Sequence, residues 1–267
     1  MRKDLGLPAS NDVAALVTVV QDLREKTEEF LGHSISAVSA AVPHMVAIYE
    51  EDIVDAFEYV GLEFIDVYGW GCSMLYETTA VYAGYNFGLC SDYTDPVRCR
   101  EEWKEYPGET VLNILYTKDA LTVAMPVMTG IILFEPRYRY LCDFALGNDA
   151  RSSYPGGEDI YWQKVRNAIQ YHMVQNPYYP KPSKILLFGE SIHDEKFNQV
   201  LEESLDELMD ERPKFYNDDS DFVVAKGAAE LSKRQLWNIH NGDKQKLGAE
   251  RTTDGQQKVI GEQHDGI

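Results

Sequence analysis

Apolar residues near the start of the chain recur at helical spacing: Val13, Leu16, Val17, Val20 and Leu23, then Phe30 or Leu31. That is the one-face signature of an amphipathic helix. Ser10 or Asn11 supplies a side-chain oxygen to cap it, and Gly32 supplies the stop. The small, apolar run "SISAVSAAVP" up to Pro43 predicts a buried strand. "YEEDIVDAFEYVGL" predicts a second helix, with Ile53, Ala56, Phe57 and Val60 inward. "EFIDVYGWG" reads as a strand, and "YETTAVYAGYNFG" as a helix from Glu77 toward Gly88.

The polar, turn-rich segment from Ser91 to Gly108 reads as a loop or insertion. Beyond it "VLNILYT", "ALTVAMPVM" and "IILFEPRYRYLCDFAL" are separated by Lys118-Asp119 and Thr129-Gly130, which predicts an antiparallel meander. A helix follows from about Glu158, then the proline-punctuated turn "NPYYPKPS". The apolar strand "KILLF" runs into Gly189, and an acidic helix comes after it. "RPKFYNDDSD" reads as a loop, and "FVVAKGAAELSKRQLW" as a short strand turning into a helix. The class implied is α/β, with helices packed on a mixed sheet. The predicted organisation is a frayed start (1–9), a body in two partial lobes (10–108 and 109–239) and a disordered polar tail (240–267).

With 44% hydrophobic and 12% aromatic residues the composition is that of a folded domain. The formal charge of −19 disfavours nucleic acid and anionic membranes as partners. Between Glu190 and Asp221 twelve acidic residues face three basic ones, read as a solvated face, with a docking surface for a basic partner as the alternative. Cys72, Cys90, Cys99 and Cys142 lack metal-ligand spacing and read as reduced, packed thiols. The opening "MRKDLGLPAS" has no apolar leader core, and no apolar run approaches the length of a membrane span. These features set a cytoplasmic protein as the expectation.

Six short stretches in order resemble the ATPase domain of the seventy-kilodalton heat-shock chaperones, of the actin-like superfamily: "SAVSAAVP", "DIVDAFEYVGLEFIDV", "ETTAVYAGYNFG", "GGED", "ILLFGES" and "FVVAKGAAEL". The resemblance covers Ser34 to Arg234 and implies an actin-like, ribonuclease-H-like fold of mixed sheets with packed helices, incomplete relative to the family. It places Glu77, Gly156, Gly157, Gly189, Glu190 and Ser191 at positions of the family's nucleotide site, Glu77 being the acidic residue near the metal.

The departures from the family bear on activity. Its ATP is held by glycine-rich hairpins whose bare backbone N–H groups reach the phosphates. The first hairpin has no counterpart; Asp4 to Gly6 reads as a frayed end. The second should fall in "LNILYTKDALTVAM", where Tyr116 stands near the family's aspartate and Thr117, Lys118, Asp119 and Ala120 span its glycines. Lys118 as a phosphate contact and Asp119 as a displaced metal ligand are the alternatives to a plain polar turn, the preferred reading. The lobe that closes over adenine is replaced by the short link from Gln170 to Lys184. Glu190 stands in place of a glycine and would set a carboxylate against an anionic ligand. The expectation is a non-catalytic relative with a degraded site, no cofactor, and an interaction or regulatory role with an unknown protein partner. The alternative is an ATP-binding chaperone-type ATPase using ATP and magnesium through divergent loops.

Other chemistry finds little support. The six histidines are scattered, and His193-Asp194-Glu195 has Phe197 where a second metal ligand would stand. No nucleophile elbow or Walker loop is present. Tyr161, Trp162, Tyr171, Tyr178 and Tyr179 form an aromatic-rich group read as packing, with a binding surface second.

Overall fold

Ser10 and Gly32 bracket the first helix as their residue types dictate. The Ser10 hydroxyl accepts from the Val13 N–H at 3.0 Å, and Gly32 turns left-handed at φ 71° to end α1 (Asn11–Leu31). The computed structural model describes residues 2, 5–45, 49–67, 74–134, 140–175 and 180–241. The sequence expectations at Asp4, at the end of "EFIDVYGWG", at Tyr178 and Tyr179 and in the tail from 242 lie outside the described residues.

The first half is a thin parallel ribbon between helices. β1 (Ala37–Val38) pairs with β3 (Glu63–Phe64), and β2 (Ala41–Val42) with β4 (Leu75–Tyr76), both parallel. α2 (Glu50–Tyr59) buries Ile53, Ala56 and Phe57, three of the four inward positions read from its pattern; Val60 packs at the edge of the same core. α3 (Glu77–Gly84) is buried along its whole length.

The segment read as a loop after Ser91 contains a helix, α4 (Pro96–Glu105). Asp95 caps it by accepting from the N–H groups of Val97 and Arg98, and Pro96 occupies the first helical position, where no N–H is needed. Cys90 and Cys99, expected as reduced thiols, are joined in a disulfide with Cα atoms 5.1 Å apart; Cys142 is free.

The second half is built on one mixed sheet. Its strands are β5 (Glu109–Tyr116), β6 (Leu121–Ala124), β9 (Tyr140–Asp143), β10 (Lys184–Phe188) and β11 (Lys214–Tyr216). They lie in the order β11-β10-β5-β6-β9, with β5, β10 and β11 parallel and β6 antiparallel to both of its neighbours. The expected meander is present, but Pro126 interrupts its second run. The chain therefore leaves β6 to form β7 (Val127–Thr129), which pairs with β5 and with β8 (Ile132–Phe134). β11 forms inside the stretch read as a loop, because its backbone completes the free edge of β10.

Strand alternation assigns the two faces. Leu112, Ile114 and Tyr116 of β5, with Ile185 and Leu187 of β10, pack under α5 (Glu158–Gln175) and α6 (Glu195–Asp206). Val111, Leu186 and Phe188 face Val81 and Tyr82 of α3 and Val223 of α7 (223–241). A sheet covered on both faces reads as near-continuous apolar runs, which is why "VLNILY", broken only by Asn113, and "KILLF" are legible. Val223 and Val224, read as strand, belong to the helix. The molecule is α/β, with mixed sheets and packed helices. Among the described residues no helix is long and apolar enough to cross a membrane.

Candidate functional site

Two strand ends and one helix start meet at the carboxyl edge of the main sheet. The chain leaves β10 at Gly189, whose φ of 101° lies in the left-handed region. A Cβ there would stand 2.5 Å from the Tyr116 carbonyl, so only glycine lets the end of β10 pass the end of β5. Ser191 then turns inward and donates its N–H to the Tyr116 carbonyl at 3.1 Å. Asp194 caps α6 by accepting from the Phe197 N–H at 2.9 Å.

The opposing hairpin, Thr117 to Ala120, closes through its own side chain. The Thr117 hydroxyl accepts from the N–H groups of Asp119 (3.3 Å) and Ala120 (3.0 Å). The remaining turn N–H, that of Lys118, donates to the Glu190 carboxylate at 2.9 Å. Gly147 buttresses the hairpin from behind, where a Cβ would lie 2.3 Å from the Lys118 carbonyl. Thus the three turn donors are satisfied internally, and one of them by an anion. Tyr116, placed by the resemblance near a metal-positioning aspartate, points into the core instead. It stacks on Phe197 with ring centres 4.3 Å apart and shares a 2.8 Å hydrogen bond with the Tyr161 hydroxyl.

A cavity of about 250 Å³ opens between these segments, lined by Thr117, Gly189, Glu190, Ser220 and Asp221 over an apolar floor that includes Leu115 and Phe188. It falls below the roughly 300–1,000 Å³ of ordinary ligand pockets. Glu190 and Asp221 give it two carboxylates. The turn N–H groups are already occupied, and the two carboxylates repel a phosphate placed beside them.

The structure brings together only part of the set assigned by resemblance. Gly189 and Glu190 line the cavity, and buried Ser191 adjoins it. Gly156 and Gly157, with φ of 94° and 92°, form the turn into α5 and do not line it. Their connection to it is indirect: Arg151 pairs with Glu158 at 3.4 Å and with Asp194 at 3.0 Å. Ser220 and Asp221 were not singled out from the sequence; a Ser-Asp pair in an acidic loop has no local signal of its partners.

Glu77 stands apart, in a buried cluster where α3 begins. It is 6% exposed, and its Oε1 has no hydrogen-bond partner. Burial pushes its carboxyl up to about 7, with the Tyr140 hydroxyl of β9 acting weakly in the other direction. His44 stacks on Tyr76 at 3.9 Å, lies 5.0 Å from the Tyr140 ring and shares a 2.9 Å hydrogen bond with the Thr78 hydroxyl. Burial holds its imidazole down at about 4. Among the described residues no three His, Cys, Asp or Glu side chains gather to hold a metal ion.

The sequence matches no protein-family model and no curated protein.

Proposed function

We propose that the chain is a heat-shock-chaperone-like, actin-fold protein whose nucleotide site has been closed, and that it acts through interaction rather than hydrolysis. The observation that carries this reading is the Glu190 carboxylate on the Lys118 N–H, together with the Thr117 hydroxyl on the two N–H groups that follow. A hairpin that held phosphate would offer these donors outward; here the protein supplies its own anion and its own hydroxyl. The strand order supports the fold side of the proposal. A parallel trio with an antiparallel strand beside it, followed by alternating helices and strands, suits a ribonuclease-H-like lobe.

Isothermal titration of the full chain with magnesium-ATP tests it. No saturable heat at millimolar nucleotide is expected. Micromolar binding, or phosphate release above the protein-free rate, would establish the alternative of an ATP-binding ATPase with divergent loops.

A further inference from the structure

The two-stranded ribbon of the first half leaves one edge without a strand among the described residues. Ser36 and Val38 turn their carbonyls to β3, accepting from Glu63 and Ile65 at 2.8 and 2.7 Å. Peptide direction alternates along a strand, so Ala37, Ser39 and Ala41 turn their backbone groups to the opposite edge. Ala37 is exposed, but beyond it the edge does not face open water. From Val38 to Ala41 it forms the floor of a groove of about 580 Å³, walled by Val20, Leu23, Arg24 and Thr27 of α1 on one side and by Val224 and Ala228 of α7 on the other. Two helix layers thus continue past the place where the sheet between them stops. Leu23 is left 59% exposed as a result.

We propose that this groove is an acceptor for one extended strand of a partner protein, added in register with Ala37 to Ala41. The walls decide the chemistry of that strand. Apolar residues dominate both; Arg24 and Thr27 also line the α1 side, where the Arg24 guanidinium is held by Glu28 and the Val60 carbonyl. The inserted segment therefore needs apolar side chains on both faces, as a strand buried in a parallel sheet does, rather than alternation. Small residues line the groove, Ser39, Ala40 and Ala41 on the floor and Ala225 on the α7 wall, leaving the room to valine- and isoleucine-sized side chains of the guest. One mouth of the groove is acidic. Asp221 borders both this groove and the cavity beside Glu190, exposed Asp218 and Asp219 precede it, and the chain carries −19 overall. A lysine or arginine at that end of the guest meets complementary charge.

Other occupants fit less well. The edge is recessed between two helices, so the same edge of a second copy, flanked by its own helices, cannot enter. Within residues 242–267 the longest apolar run is Val259-Ile260, too short for an edge that runs from Ala37 to Ala41.

The test uses the full chain and a fluorescein-labelled peptide of five alternating valines and isoleucines between pairs of lysines, read by anisotropy. Micromolar binding is expected. A central proline in the peptide removes an edge hydrogen bond and should weaken binding by about tenfold or more. Ala225→Glu, at an exposed wall position, should do the same while leaving the melting temperature unchanged. No binding, or equal binding by the proline peptide or by the variant, overturns the proposal. A chain that sediments as a dimer and is dissociated by Ala225→Glu assigns the groove to a second copy and also overturns it. So does a Val259→Asp/Ile260→Asp chain that binds the peptide several-fold more tightly, since the tail would then be the occupant.

Discussion

At Gly189 a single hydrogen in place of a methyl group decides whether two strand ends can pass. Alanine there would combine a left-handed backbone with a Cβ 2.5 Å from the Tyr116 carbonyl. Gly189→Ala should therefore cost about 3 kcal/mol, read as a lower urea midpoint at unchanged m. A glycine kept only to clear space for a ligand would tolerate the methyl group without loss of stability. Asn113 presents the opposite case. It is 2% exposed on β5, and neither atom of its amide has a hydrogen-bond partner. Asn113→Leu replaces two unsatisfied polar groups with an apolar side chain of similar volume and should stabilise the protein by about 1 kcal/mol or more in the same measurement. Gly189 was legible in the sequence, since a glycine ending an apolar strand is a local pattern. The Glu190–Lys118 hydrogen bond was not, because it joins positions 72 residues apart. From the sequence Glu190 looked like a charge that repels a ligand; its actual partner is a backbone N–H that only the fold supplies.

Among elements, the ones read correctly are those whose apolar faces are wide. α1, α2, α5, α6, β5 and β10 each announce themselves through spacing and end signals. α4 and β11 do not. α4 buries only Cys99, so its sequence carries almost no periodicity, and Asp95-Pro96 was its one legible sign. β11 exists because β10 offers it an edge, a reason that lies outside its own residues. The valines opening α7 read as strand because β-branched residues carry that propensity; packing on α3 overrides it. That contact is unusually close. A Cβ on Gly227 would meet the Ala80 carbonyl at 1.7 Å, and one on Gly84 the Val223 carbonyl at 2.1 Å. In an isolated helix Gly→Ala is worth about 1 kcal/mol in favour of alanine. Here Gly84→Ala and Gly227→Ala should each destabilise by about 2 kcal/mol or more in thermal or urea unfolding. The double variant should cost less than the sum, since the first methyl already separates the helices. A net gain in stability from either change would mean that α3 and α7 do not touch as described.

The whole molecule is joined across the cluster of Glu77, His44, Thr78 and Tyr140, where the ribbon of the first half meets β9 of the second. Its two ionisable groups respond to pH in opposite senses. Glu77 is raised by burial from 4.5 to about 7, so between those values the folded chain holds a proton that the unfolded chain has released, and stability falls as pH rises. His44 is lowered by burial from 6.5 to about 4, so in that window the unfolded chain takes up a proton that the folded chain refuses, and stability falls as pH drops. Across the overlap the two slopes oppose each other, which hides both in the parent protein. Single substitutions expose them. The unfolding free energy of Glu77→Gln, taken relative to the parent, should climb by about 3 kcal/mol from about pH 4.5 to about pH 8. That of His44→Gln should climb by a similar amount as pH falls from about 7 to about 4. Taking differences from the parent cancels the many surface carboxylates of this acidic chain, which titrate alike in both. If the Glu77→Gln difference stays flat across that range, the carboxyl is in water, and the two halves are not docked through this cluster.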